Sequence, residues 1–310
     1  MPRFYARERG RARFPRAAES ARIDRVKRAI ETTPLCAVRH AVTDAPPPRE
    51  AFAGPPAPPA PEPDVDPAWS VLLDDPLFSV VAKSGNLPCH PSGRYRAHTL
   101  DALLRAAGWP EVHFVSRLDR ETSGAVLVAK TVEAASRLGR DMAARRFDKR
   151  YLCLVEGGWD EPAGPDGWFD AVGRIRPASD AVVRKYRVFE PAPDPAAWRI
   201  DEGSDTAHTR FRPLRADGRR TLLECRPVTG RTAQIRATLH ALGHPVAGDK
   251  LYGPDRALYA RMCEGALTDA DRALLGFPRQ ALHAWRLAFP HPATRETVAA
   301  EAPPPDFLRP

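Results

Sequence analysis

From Trp69 onward the apolar positions switch repeatedly between two spacings. SVLLDDPLFSVVAK (70–83) predicts two strands broken by a turn at Asp75-Pro76. GAVLVAK (124–130) is an unbroken apolar run, the mark of a strand covered on both faces. In YLCLVEG (151–157) Leu152 and Leu154 alternate with Cys153 and Val155, and RTLLECRPV (220–228) and ALHAWRLAFPHP (281–292) predict further strands. Helical spacing takes over in TLDALLRAAG (99–108), through Leu100, Leu103 and Leu104, and in TVEAASRLGRDMAARR (131–146), through Ala135, Leu138 and Met142. TAQIRATLHALG (232–243) predicts a helix that stops at Gly243, with Pro245 just beyond. Strands interspersed with helices, without a strict β-α-β alternation, predict an α+β domain on a mixed sheet. No internal repeat interrupts the pattern.

Before Trp69 the periodicity disappears. Residues 45–68 contain ten prolines in 24 positions. Proline lacks a backbone donor and fixes φ, so this stretch predicts an extended, semi-rigid linker. The expected organisation is a basic arm over 1–44, the linker over 45–68, one large domain over 69–302 and a short tail over 303–310. Within the arm, residues 20–31 place Ile23, Val26 and Ile30 on one helical face.

Charge sharpens this division. The chain of 310 residues carries a formal net charge of +8. Residues 1–28 hold nine arginines and Lys27 against only Glu8, Glu19 and Asp24, so nearly all the excess lies there. Such an arm can neutralise phosphates. A solvated tail and an Arg-rich transit peptide are the competing readings, the second disfavoured by a single serine, Ser20. With 43% hydrophobic residues the remainder can bury a core, and no run approaches the roughly 18 to 20 apolar residues of a membrane span. Five scattered cysteines with no C-x-x-C pair predict neither a disulfide framework nor a zinc site, and fit a reducing compartment.

Four segments concentrate unusual polar residues: KSGNLPCHPSGRY (83–95), SRLDRETSGAVLVAK (116–130), DKRYLCLVEG (148–157) and GRTAQIRATLHALGHPVAGDKLYG (230–253). Taken singly, Asp119 reads as a turn cap, Arg231 as a surface cation and Tyr151 as a strand aromatic. Together they carry a resemblance. SRLDRETSGAVLVAK resembles the H-R-L-D-x-x-T-S-G-x-x-x-x-A-K motif of RluA-type RNA pseudouridine synthases. The 230–253 segment resembles that family's G-R-T-H-Q-I-R…G-H-P-x-x-G-D-x-x-Y-G stretch. Lys149, Tyr151, Val155 and Gly157 match its K-x-Y-x-x-x-V-x-G pattern, in the same order along the chain. LPCHPSGRYRAHTL (87–100) is similar to a subset of eukaryotic tRNA-modifying members. The resemblance spans about 70–300, and no S4-type RNA-binding module is recognisable before the linker.

The resemblance implies a pseudouridine synthase-like α+β domain with a mixed, largely antiparallel sheet and a basic cleft. It implies an isomerase that turns uridine into pseudouridine in tRNA or rRNA, without cofactor or metal. Asp119 matches the catalytic aspartate. Carbocation character develops on the sugar as the C1′–N1 bond breaks, and a carboxylate can attack or stabilise it, as in retaining glycosidases. Arg231 matches an arginine expected to pair with Asp119, since a guanidinium stays charged and binds carboxylates in two places. Tyr151 matches the active-site tyrosine, whose ring can stack on uracil and whose hydroxyl can meet the C5 proton. The target nucleotide must leave its stack, and Arg117 matches the residue that fills the vacated space. Lys83 and Lys130 match positions expected to line the RNA cleft. Ser116 and Ala233 stand where the family usually has histidine.

Two other readings compete: a non-catalytic RNA-binding relative acting as chaperone or ribosome-assembly factor, and a nucleoside hydrolase using Asp119 with Glu121 as a second carboxylate. The expected partner is RNA, with no membrane and no metal, for a monomer in the cytoplasm, or in an organelle if the arm is a transit peptide.

Overall fold

The computed structural model describes residues 61–178, 183–200 and 205–310. The basic arm, the short helix expected within it and the linker before Pro61 lie outside the described residues. The unit from Pro55 to Pro310 is built on one sheet of eleven strands. They are β1 (Trp69–Asp74), β2 (Phe78–Lys83), β3 (His113–Phe114), β4 (Ser123–Ala129), β5 (Asp148–Glu156), β6 (Phe169–Pro177), β7 (Arg187–Pro191), β8 (Thr206–Ala216), β9 (Arg220–Pro227), β10 (Leu282–Pro290) and β11 (Thr297–Glu301). Among the described residues five α-helices accompany them: α1 (Leu100–Ala106), α2 (Val132–Ala143), α3 (Gln234–Ala241), α4 (Ala257–Glu264) and α5 (Asp269–Leu275).

The sheet runs β1-β2-β4-β10-β5-β9-β8-β6-β7, with β3 on β4 and β11 on β10. Among the described residues only β4 and β10 pair in parallel, so the expected mixed, largely antiparallel α+β architecture holds. That parallel seam depends on Gly124. A Cβ there would lie 2.2 Å from the Ala284 carbonyl oxygen, and its φ of +109° is open only to glycine.

All seven residues of β4 are buried. Successive side chains point to opposite faces. Ala125, Leu127 and Ala129 meet Leu138 of α2 on one face, while Val126 and Val128 meet Leu100 and Leu104 of α1 on the other. Thr99 and Thr131 cap these helices by accepting from Ala102 and Ala134 N–H. A second core joins β5, β6, β8 and β9 to α3, through Phe169, Phe211, Leu223, Leu239 and Tyr252.

β6, β7 and β8 are findings the hydrophobic pattern did not predict. Small or polar inward residues such as Gly173, Ala207 and Thr209 weaken the apolar half of the alternation in β6 and β8, and Pro213 sits at a register shift in β8. Both ends of the body are also more tightly packed than a linker and a tail imply. Residues 61–68 have no regular structure yet hydrogen-bond to the 84–98 region, and Leu308 in a 3-10 turn (Asp306–Leu308) is fully buried beside Leu152 and Leu222. Among the described residues no helix is long and apolar enough to cross a membrane.

Candidate active site

Asp119 lies in the connection from β3 to β4, whose backbone is held on both sides. Leu87 N–H and the Lys83 ammonium both donate to the Arg120 carbonyl, at 3.0 and 3.1 Å. The following turn closes through the Asp119 carbonyl, which accepts from Thr122 N–H at 3.1 Å. The carboxylate is therefore not the turn's cap. Its Oδ2 accepts from Arg236 Nη1 at 2.6 Å, and the side chain is 40% exposed to an open cleft of about 1170 Å³.

Arg236 sits in the first turn of α3, otherwise lined by buried Ile235, Ala237 and Leu239. A buried guanidinium needs compensating acid. Asp249, fully buried, takes Nε and Nη2 as a fork at 2.6 and 2.8 Å. The Asp249 carboxylate is fixed in turn by Leu251 and Tyr252 N–H at 2.9 and 3.0 Å. Burial works against charge in this pair. The charge of Asp249 nevertheless drives the Arg236 pKa far upward, and Arg236 together with the two N–H donors holds the Asp249 carboxyl below its ordinary range.

This corrects the expected pairing. Arg231 is not the partner of Asp119. Its turn precedes the helix, Nε donates to the Thr206 carbonyl at 3.0 Å, and no carboxylate meets it among the described residues. Gln234 holds that turn in place. Its buried amide accepts from Arg231 N–H and Thr229 hydroxyl, and donates to His208 O and Thr209 Oγ. Arg231 lines the cleft as an uncompensated cation. The sequence pattern did not single out Arg236 or Asp249, although an arginine inside an apolar helix face is itself a signal that an acid must be near.

Tyr151, on β5 beside Ala284 and Cys225, opens onto the same cleft as Asp119. Burial first, and then the negative charge of Asp119, raise its pKa, so the resting phenol is neutral. Lys149, two residues earlier, lines the cleft without an ion-pair partner among the described residues, and burial lowers its pKa. Arg117 is exposed in the cleft and donates to His90 Nε2 at 2.9 Å.

Two expected cleft lysines are elsewhere. Lys83 is 3% exposed, donates to Ser84 O and Arg120 O, and has its pKa pulled down to about 8, chiefly by burial. It braces the Asp119 loop from within. Lys130 pairs with Asp74 at 2.7 Å, stands over the Trp109 ring, and does not line the cleft. The sequence presents both ends of β4 as one polar motif, but a strand of seven residues carries them far apart.

Ser116 and Ala233 both line the cleft. Ala233 has φ +54° and ψ +24°, a left-handed conformation that histidine tolerates better than alanine does. Glu121, on the cleft wall, is engaged by other groups. Its Oε1 accepts from buried Lys250 at 2.8 Å and Oε2 faces Gln280 N–H. Among the described residues, Asp160, Glu161 and His244 alone bring three metal-ligating atoms within 4.8 Å of one another, and none of them lines the cleft.

Comparison with known proteins bears on this arrangement. The family model described as RNA pseudouridylate synthase matches residues 78–241. Ribosomal large subunit pseudouridine synthase D of Nitrosomonas europaea is 34% identical over 77% of this chain and 62% of its own length. The mitochondrial tRNA pseudouridine(32) synthase of Saccharomyces cerevisiae is 31% identical over 65% of this chain and 40% of its own. The alignments thus span less than two thirds of either relative. In structure, human RNA pseudouridylate synthase domain containing 1 superposes with a TM-score of 0.57 at 28% identity, over 79% of this chain and 86% of that one.

Proposed function

Because the chain belongs to the RluA-type family of RNA pseudouridine synthases, we propose that it isomerises uridine to pseudouridine in structured RNA, with Asp119 as the catalytic carboxylate. The observation that carries this reading is the Asp119 carboxylate, gripped on Oδ2 by a buried guanidinium at the side of an open, cation-lined cleft. One oxygen held by Arg236 orients the other for C1′ of a flipped-out uridine. As the C1′–N1 bond breaks, its electron pair leaves with the uracil, and Asp119 bonds to C1′ or to a neighbouring sugar proton. The base turns, C5 joins C1′ and Asp119 is released, returning the sugar proton if it took one; the C5 proton departs last and N1 takes up a proton in its place. Atoms and electrons balance within the nucleotide, which makes the reaction an isomerisation.

Tyr151 supplies a ring for stacking the base. Its hydroxyl is neutral at rest, chiefly through burial, so it relays the late C5 proton only by passing its own proton on as it accepts. Lys149, Lys185 and Arg231 offer phosphate contacts along the cleft, and Arg117 a guanidinium plane for the vacated stack. The engagement of Glu121 by Lys250 disfavours hydrolysis, which calls for a second carboxylate near the sugar. tRNA is the favoured substrate class, because the 87–100 segment that resembles tRNA-modifying members forms part of the cleft wall.

Carbodiimide-based pseudouridine mapping of total RNA, from cells carrying the native chain or Asp119→Ala, tests the proposal. One or more sites should vanish with the substitution. An unchanged map, or release of free uracil by the purified protein, would refute it.

A further inference from the structure

We propose that residues 61–66 form a strap that walls the cleft and, through Glu62, positions the loop 88–98 against the RNA. The inference rests on the reading of the cleft as an RNA site. Pro61, Glu62, Pro63 and Asp64 line that cleft, yet all lie outside the segment 78–241 that matches the family.

The Glu62 carboxylate collects three successive backbone donors. Oε2 accepts from Arg96, Ala97 and His98 N–H at 2.9, 3.0 and 2.9 Å, and Oε1 shares Ala97 N–H at 2.9 Å. These bonds hold the carboxyl at about 2, so Glu62 is an anion throughout the neutral range. Further bonds stitch the strap along its length. His98 Nδ1 donates to Pro63 O at 2.9 Å, Asn86 Nδ2 to Asp64 O at 3.3 Å, and Ser84 Oγ to Asp66 O at 2.6 Å. Val65 adds apolar contact with the core of α1. Arg94 crosses between strap and α4, donating to Pro61 O at 3.4 Å and to Cys263 O at 3.0 Å.

What the strap holds is a cationic loop with functional neighbours. Residues 92 and 95 close a tight turn by mutual backbone bonds of 3.0 and 3.1 Å. From this loop His90 contacts Arg117, and Tyr95 contacts Arg120 through both its hydroxyl and its ring. Those two arginines flank Asp119 in sequence. The loop itself carries His90, Arg94, Arg96 and His98 and no acid, so Glu62 supplies the countercharge that keeps it in place. Glu62 is therefore a positioning residue: it acts on RNA through the loop, and reaches none of the reacting atoms itself.

The test compares the full chain with Glu62→Ala and Glu62→Gln. The probes are tritium release from 5-tritiated tRNA and large-subunit rRNA transcripts, binding of a fluorescent tRNA transcript, and amide hydrogen exchange. The expected result is faster exchange at 96–98 in Glu62→Ala, with KM raised about fivefold and the saturating single-turnover rate within about twofold of the native chain. Glu62→Gln, which keeps an acceptor without the charge, should fall between, and it carries the comparison if the alanine chain fails to fold. Freed amides with unchanged KM, or a lower saturating rate at unchanged KM, would overturn the proposal. If the native chain releases tritium from no transcript, the synthase reading fails. The strap is then judged on tRNA binding alone: a weaker dissociation constant in the variants supports it, and an unchanged one removes it.

Discussion

Asp119 and Arg236 are 117 residues apart in the chain and 2.6 Å apart in space, and Arg236 reaches Asp119 only because Asp249 holds its other edge. One guanidinium thus links a β3–β4 loop to the α3 helix and to the loop beyond it.

Arg236 and Arg231 should separate cleanly on substitution. Arg236→Ala strips a fully buried Asp249 of its countercharge, which costs about 3 to 5 kcal/mol in denaturant titration. Arg236→Lys keeps a charge but loses the fork, and the turnover rate should drop about a hundredfold through misplacement of Asp119. Arg231→Ala should instead weaken RNA binding and leave the saturating rate within about threefold. A larger rate loss for Arg231 than for Arg236 would reverse the assignment made from the geometry.

Tyr151→Phe should bind a tRNA transcript as the native chain does and stall before product. Phenylalanine keeps the stacking face and removes only the hydroxyl. Single-turnover pseudouridine formation measures this, and ordinary product yield would leave the hydroxyl without a role.

Salt dependence distinguishes cleft cations from structural ones. Lys149→Ala and Lys185→Ala should each reduce the slope of log affinity against log salt by about one, the value for a single phosphate left unneutralised. Lys130→Ala should leave the slope unchanged, because its ammonium is bound to Asp74 away from the cleft.

Ala233 is held at positive φ at the entrance to α3. Glycine adopts that conformation without the Cβ penalty, so Ala233→Gly should stabilise the fold by about 1 kcal/mol. Thermal unfolding checks the sign, and a lower melting temperature would show that the alanine methyl contributes more through packing than its backbone costs.

Buried histidines set the response to mild acid. His283 is neutral, accepting from Ser123 Oγ and donating to the Ala302 carbonyl, and burial lowers its pKa; burial does the same to His240 and His90. Below about pH 6.5 the unfolded chain takes up protons that the native chain refuses, so stability is lost as pH falls through that point. The melting temperature should decline between pH 7 and 5. A His283→Asn chain, less stable at pH 7, should show a smaller decline, and an equal one would remove His283 from the account.

The sequence by itself determined the elements whose faces differ sharply in polarity. β4, β5, β9 and β10 and the helices α1, α2 and α3 lie where periodicity put them, and their motifs assigned Asp119 and Tyr151 to one family pattern. It did not reveal β6, β7 and β8; in β6 and β8 small or polar inward residues such as Gly173, Ala207 and Thr209 weaken the apolar half of the alternation that marks a strand. It pointed to Arg231 as the partner of the aspartate, whereas Arg236, five residues further along the same motif, is the one that meets it. Tertiary structure decided that, and it also withdrew Lys83 and Lys130 from the cleft and brought the 61–66 strap to its wall. The physical reason is common to all three. Periodicity reports how a residue sits relative to its neighbours in the chain, whereas a charge must be satisfied by whichever partner the completed fold places within hydrogen-bonding reach.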